Sequence, residues 1–167
     1  HVPGQQSNLI NEMTESVDLA PTIMDWLGAE IPLDWNGRSL LPYINNQKTK
    51  LPPKDYVVFD YDFRESTSFV IDKKLAPEEC NLSVIRTKEW KYVHFPTLPS
   101  LLFNMKKDPY ETNNISDLKE YQSIKNELLS KLLSHRMLHQ ERQLSNTMLS
   151  SRGVRTNSGP YNRKFKN

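Results

Sequence analysis

The chain has a single cysteine, Cys80, so no intrachain disulfide framework holds it together. A lone thiol points weakly to a reducing, cytoplasmic setting. Glycine is scarce, with 5 residues in 167. No Gly-rich phosphate loop, GxSxG elbow, HExxH helix or paired CxxC occurs, which removes the usual sequence signs of a nucleotide cradle, a serine hydrolase or a zinc peptidase. No apolar run approaches the ~18 residues of a membrane-spanning helix, and mean hydropathy is −0.68. The first residue is His1, with no signal-peptide pattern behind it, which reads as a processed or internal piece of a longer chain.

What is present is unevenly spread. Net charge is only +2, yet residues 146–167 carry Arg152, Arg155, Arg163, Lys164 and Lys166 with no acid, leaving the body net negative. A basic tail can meet nucleic acid or acidic partners, but a solvated terminus is the plainer reading. The tail has only Tyr161 and Phe165 for stacking, so nucleic acid is not the expected partner.

Along the chain, Asp18 to Leu27 reads as a helix. Asp18 suits the N-cap, Pro21 falls in the first turn, Leu19, Ile23, Trp26 and Leu27 share one face, and Gly28 ends it. Ile31 to Asn46 reads as a loop with a helical turn near Leu40-Leu41. Gln47 to Lys54, with Pro52-Pro53, reads as an exposed, extended linker. Strand-like runs follow at Tyr56–Phe63, Leu82–Arg86, Trp90–Phe95 and Leu101–Met105, with a hairpin turn over Thr87–Trp90. No long helix separates them, which favours an antiparallel meander. From about Asp117, where Glu120 suggests a capping box, a long helix is predicted to run to about Gln143. Ile124, Leu128, Leu129, Leu132, Leu133 and Met137 form its apolar stripe, a pattern of core or interface rather than of a cofactor site.

Few residues suggest chemistry. His135 and His139 share a helix face at metal-ligand spacing, but Arg136 lies between them and no carboxylate does. They read as a surface or interface pair. Asp60, Asp62 and Glu65 form the best acidic cluster. On a strand Asp60 and Asp62 point the same way, so they could share a proton or a cation, or simply form a solvated face beside Arg64. Cys80 sits in Cys-Asn-Leu-Ser-Val and reads as a small buried residue. On these residues alone the chain shows no catalytic and no metal site.

Two ordered stretches carry a resemblance. One is Asp18-Leu-Ala-Pro-Thr-Ile-Met-Asp-Trp-Leu-Gly28 followed by Gly37-Arg-Ser-Leu-Leu-Pro42. The other is Val84-Ile-Arg-Thr-Lys-Glu-Trp-Lys-Tyr-Val93 followed by Leu101 to Asn114, with Asp108-Pro-Tyr-Glu-Thr-Asn-Asn114 at its end. With His1-Val-Pro-Gly4, they resemble the C-terminal region of sulfatases in the alkaline phosphatase superfamily. Tyr61-Asp-Phe-Arg64, Lys91 to Phe95, Leu98 to Phe103 and Leu132 to Met137 look closest to phosphonate monoester hydrolases.

The resemblance implies an α/β fragment: residues 1–47 ending a large α/β domain, a small antiparallel β subdomain over 48–116, a long amphipathic helix over 117–145, and a basic extension over 146–167 that is an oligomer arm or disordered. It implies a parent hydrolase of sulfate, phosphate or phosphonate esters that uses a divalent metal cation and a formylglycine. That family makes its formylglycine from a Cys or Ser in Cys-x-Pro/Ala-x-Arg, a pattern absent around Cys80. The implied catalytic residues precede this segment, so the expected partners are a missing N-terminal catalytic region and further copies joined through the long helix and tail. Asp62 and Arg64 are the nominees to meet an anionic ester, with an Asp62–Arg64 salt bridge as the plainer reading. The rival readings are a non-enzymatic binding or assembly module with a basic tail, and a degenerate scaffold that keeps only the C-terminal region.

Overall fold

The computed structural model describes residues 9–32, 35–45, 51–65, 67–139, 147–151 and 153–156. The Pro-Gly segment at residues 1–4, the first half of the Gln47–Lys54 linker and the end of the basic tail lie outside these. The chain forms two compact units, residues 1–54 with 138–167, and residues 55–137.

In the first unit, α1 (Leu19–Trp26) follows a 3-10 turn at Ser16–Asp18, and α2 (Leu41–Ile44) is a single turn with Pro42 at its start. Gly28, at φ +69°, ends α1 in the left-handed conformation that glycine tolerates best. Asp18 departs from its expected role. It stands at the N-cap position, but its carboxylate makes no cap bond to α1. It turns instead toward three donors outside the helix, because its side chain is fully buried and a buried carboxylate needs partners.

The second unit is built on a four-stranded antiparallel sheet in chain order: β1 (Tyr56–Asp62), β2 (Asn81–Thr87), β3 (Trp90–His94) and β4 (Leu101–Asn104). The tight β2–β3 turn is held by Thr87 Oγ1, which accepts from Trp90 N at 2.9 Å. The row Val58, Ile85, Tyr92, Leu102 is in register across all four strands and so lies on one face. α4 (Gln122–His139) covers that face, with Leu128 and Leu132 buried against Ile85, Tyr92 and Leu102, and Ile124, Tyr121 and Trp90 at the margin.

The long helix starts later than the sequence suggests. A 3-10 turn at Lys119–Tyr121 precedes it, and that turn has no side-chain cap. The Gln122 side-chain amide donates instead to the carbonyls of Ser116 (2.8 Å) and Leu118 (3.1 Å). Its apolar stripe is two rows wide. Ile124, Leu128 and Leu132 pack on the sheet, while Leu129, Leu133 and Met137 are exposed, the last at 65%.

Three elements, one short helix and the two strands of a hairpin, have no counterpart in the sequence reading. α3 (Thr67–Lys73) lies between β1 and β2, its centre the β-branched pair Val70-Ile71 that argues against helix locally. It ends at Lys74, a non-glycine residue at φ 54°. Beyond α4, β5 (Thr147–Ser150) and β6 (Gly153–Thr156) pair as an antiparallel hairpin inside the basic extension.

Candidate functional site

The most strongly built polar site is the buried cluster around Asp18. Its Oδ2 accepts from Glu15 N at 3.0 Å and from Lys54 Nζ at 2.7 Å, and its Oδ1 accepts from Arg38 N at 3.0 Å. Lys54 also reaches Glu15 Oε2 at 2.5 Å, with the Lys54 side chain only 15% exposed. Burial works against the Asp18 carboxylate's charge, but the Lys54 ammonium and the Arg38 and Glu15 amides outweigh it and hold its pKa below the usual value.

The chain reaches this arrangement because Gly37 has no side chain. A Cβ there would stand 1.9 Å from the Val17 carbonyl oxygen, so only glycine lets the Gly37-Arg38 loop lie against the start of α1. Thr22 fastens the same loop, donating from Oγ1 to Asp18 O at 2.6 Å and accepting from Leu40 N at 2.9 Å. Arg38 Nη1 and the Tyr43 hydroxyl both reach Pro52 O, at 2.6 and 3.4 Å. The stretch from Leu51 to Lys54, read as an exposed linker, is thus bonded down at Pro52 and Lys54. The Asp18 site is structural: it joins three sequence-distant segments and presents no reactive atom to solvent.

Asp62 and Arg64 lie at the end of β1 and bind each other. Arg64 Nη2 is 2.6 Å from Asp62 Oδ2, Arg64 Nε donates to both carboxylate oxygens, and Arg64 N donates to Asp62 Oδ1 at 3.0 Å. That pairing lowers the Asp62 pKa and raises that of Arg64. Both side chains stay about half exposed or more.

Asp60 shares the face of Asp62 by strand alternation, but it has a different use. It accepts from the Ser83 hydroxyl directly across β2, and Arg136 of α4 donates to Ser83 Oγ and stands 3.3 Å from Asp60 Oδ1. The two carboxylates are therefore divided between two arginines and do not form a pair. Sequence reasoning missed Arg136 and Ser83, because nothing in their spacing marks residues that meet only when helix and sheet pack.

His135 and His139 also part company. His135 packs edge-on to Tyr56 with ring centroids 5.8 Å apart, and His139 Nδ1 lies 3.1 Å from Asn36 Oδ1. Cys80 is buried, its Sγ directed at Ala76 O, and burial together with Asp62 and Glu79 pushes its thiol pKa up, the opposite of nucleophile activation. Among the described residues no three His, Cys, Asp or Glu side chains gather where a metal ion could sit. The described residues thus form no divalent-metal site, and no chemical step is assigned to them.

The Asp108-Pro-Tyr-Glu-Thr-Asn-Asn114 motif has a mechanical explanation. Asp108 accepts from Thr112 N, Thr112 Oγ1 and Asn113 N at 2.9–3.0 Å, and these amides hold its pKa low. Glu111, at φ 58°, reaches Lys91 Nζ at 2.6 Å. Asn114 Oδ1 accepts from Leu102 N at 2.9 Å and Ser116 N at 3.1 Å, while Ile115 N donates to Leu102 O, so the motif seals the outer edge of β4.

Besides the outer row of α4, a second apolar surface is uncovered among the described residues. Leu19, Ile23, Trp26 and Leu27 of the α1 segment are all exposed, Leu27 at 70%, and Leu9 and Val17 add to the exposed apolar residues of this unit. Isolated exposed leucines are ordinary, whereas an amphipathic helix that exposes its whole apolar face presents a patch of the kind that marks interaction sites.

Comparison with known proteins shows the family to which the chain belongs. The family described as N-sulphoglucosamine sulphohydrolase, C-terminal, matches residues 1–138. A multifunctional alkaline phosphatase superfamily protein of Trinickia caryophylli is 36% identical over 151 residues, 86% of this chain and 28% of its own length. An N-acetylglucosamine-6-O-sulfatase of Bacteroides thetaiotaomicron is 32% identical over 120 residues, 70% of this chain and 20% of its own. The phosphonate monoester hydrolase of Agrobacterium radiobacter superposes with a TM-score of 0.70 at 31% identity, covering 88% of this chain and 29% of that one. The chain spans less than a third of these relatives' length. It belongs to the N-sulphoglucosamine sulphohydrolase C-terminal family, and is a C-terminal region of the sulfatase type within the alkaline phosphatase superfamily.

Proposed function

We propose that this chain is the C-terminal portion of a metal-dependent hydrolase of sulfuric, phosphoric or phosphonic esters, inactive alone, which completes the fold and one wall of the substrate cleft. The observation that carries this reading is the outward apolar face of α1. A helix with Leu19, Ile23, Trp26 and Leu27 in water lacks the surface it is patterned to meet, and relatives of this chain have some 70% of their length elsewhere. The missing N-terminal catalytic region supplies that surface, together with the metal ligands and the formylglycine.

In this reading residues 1–47 finish the large α/β domain, and residues 48–116 and 117–145 form the accessory sheet and its covering helix. Arg64 is the side chain of this chain that meets an anionic ester, with Asp62 holding its guanidinium in place. The outer row of α4, Leu129, Leu133 and Met137, together with the 146–167 extension, serves contacts between copies. Among the described residues no helix is long and apolar enough to cross a membrane. A cytoplasmic setting rests on the lone Cys80.

The isolated chain tests the docking face. It is expected to bind a hydrophobic dye and to self-associate through α1, and Ile23→Asp with Leu27→Lys is expected to abolish both while leaving the circular dichroism spectrum intact. Absence of dye binding by the wild-type chain would remove the support for a missing partner surface.

A further inference from the structure

Asn36-Gly37 is the only Asn-Gly pair in the sequence, and its setting bears on an unassigned reaction. Asn-Gly is the dipeptide most open to intramolecular attack, because glycine places no side chain in the path of its own amide nitrogen. Asn36 is exposed, in a stretch without regular structure. Among the described residues the Gly37 N–H donates to no acceptor, although the next amide, Arg38 N, is held by Asp18. His139 Nδ1 lies 3.1 Å from Asn36 Oδ1. In the tautomer with hydrogen on Nδ1 it donates to that oxygen and draws electron density from the amide carbon, the role of a general acid.

We propose that Asn36 is a site of self-catalysed deamidation, polarised by His139, that converts the Gly37 loop to an isoaspartyl linkage. The Gly37 nitrogen bonds to Asn36 Cγ and the side-chain nitrogen leaves as ammonia, taking up the proton Gly37 gives. The resulting succinimide is opened by one water molecule. Opening at the main-chain carbonyl leaves isoaspartate, and opening at the other leaves aspartate. The net change is gain of water and loss of ammonia, with no redox partner.

The fold makes the isoaspartyl product consequential. It adds a methylene to the main chain next to Gly37, where the loop lies so close to Val17 O that a Cβ would stand 1.9 Å away. The loop cannot keep both that approach and the Arg38 N–Asp18 Oδ1 bond of 3.0 Å. Aspartate at the same position preserves the backbone and its register. The reaction is thus a one-way loosening of the loop that holds Asp18, independent of what the parent enzyme hydrolyses.

The test is incubation of the full chain at mildly alkaline pH and 37 °C, with peptide mapping by mass spectrometry and enzymatic detection of isoaspartate. Asn36 is expected to deamidate ahead of every other asparagine. His139→Ala is expected to slow it at least about tenfold, a modest share of the ~10²–10⁴ that positioned general acids contribute. In urea the wild-type and His139→Ala chains should react at equal rates, which separates polarisation from altered dipeptide chemistry. The isoaspartyl form should melt below Asn36→Asp, with the same charge and an unchanged backbone. An Asn36 that stays intact in the folded chain but reacts in urea would overturn the proposal, as would a folded-state rate unaffected by His139→Ala.

Discussion

Lys54 Nζ stands 2.7 Å from Asp18 Oδ2, and the Asp18 side chain is completely shielded from solvent. This ion pair ties the segment before β1 to the start of α1, thirty-six residues away in sequence. Breaking one side leaves the other charge buried. Lys54→Met is therefore expected to destabilise the chain by roughly 3–5 kcal/mol, the usual cost of an orphaned buried charge. The double variant Asp18→Leu with Lys54→Met should recover part of that loss in urea melts.

The same carboxylate sets an acid limit. Its folded pKa lies below the unfolded value of 3.8, so the unfolded chain binds the proton more readily. The stabilisation is complete above the unfolded value and fades as pH falls through the folded one. Melting temperature measured from pH 6 downward should fall steeply below about pH 4, and Asp18→Asn should remove part of that dependence.

Arg38 makes a contrasting case. Its Nε and Nη2 are shielded and have no partner among the described residues, although Nη1 reaches Pro52 O. A buried donor without an acceptor costs about 1–3 kcal/mol. Arg38→Met, which keeps the apolar stem, is predicted to leave stability unchanged or raise it. Gly37→Ala, one residue away, should cost ~3 kcal/mol or more, because the clash is with main chain that cannot rotate aside.

Neighbouring leucines of α4 should part widely. Leu132 is buried in the sheet core, whereas Leu133 is 58% exposed. Leu132→Ala is expected to cost about 2–5 kcal/mol. Leu133→Ala should stay within about 0.5 kcal/mol in the monomer and should instead lower the sedimentation coefficient if this row joins copies.

Much of this architecture was legible because its elements are locally consistent. The β1–β4 strands alternate in β-branched and aromatic residues, and all four stand within a residue or two of their expected bounds as an antiparallel meander. α3 was not legible, since Val70 and Ile71 argue against helix. Asp18 looked like a cap because sequence shows only near neighbours, while Lys54 and Arg38 reach it from far along the chain. Of the site nominees, Asp62 and Arg64 were found as a pair, and the Arg136–Ser83–Asp60 cluster was invisible until α4 met the sheet. The family was legible from the ordered motifs, and most of those motifs hold backbone in place.

The central claim is that this chain completes an ester hydrolase but does not itself carry out the reaction. The most direct measurement is hydrolysis of aryl sulfate, aryl phosphate and aryl phosphonate esters by the chain alone and by the same chain joined to its upstream coding region, with metal supplied to both. The account predicts no turnover by the isolated chain and metal-dependent turnover by the joined protein. Turnover by the isolated chain, or a joined protein that is stable and inert toward all three esters, would contradict it.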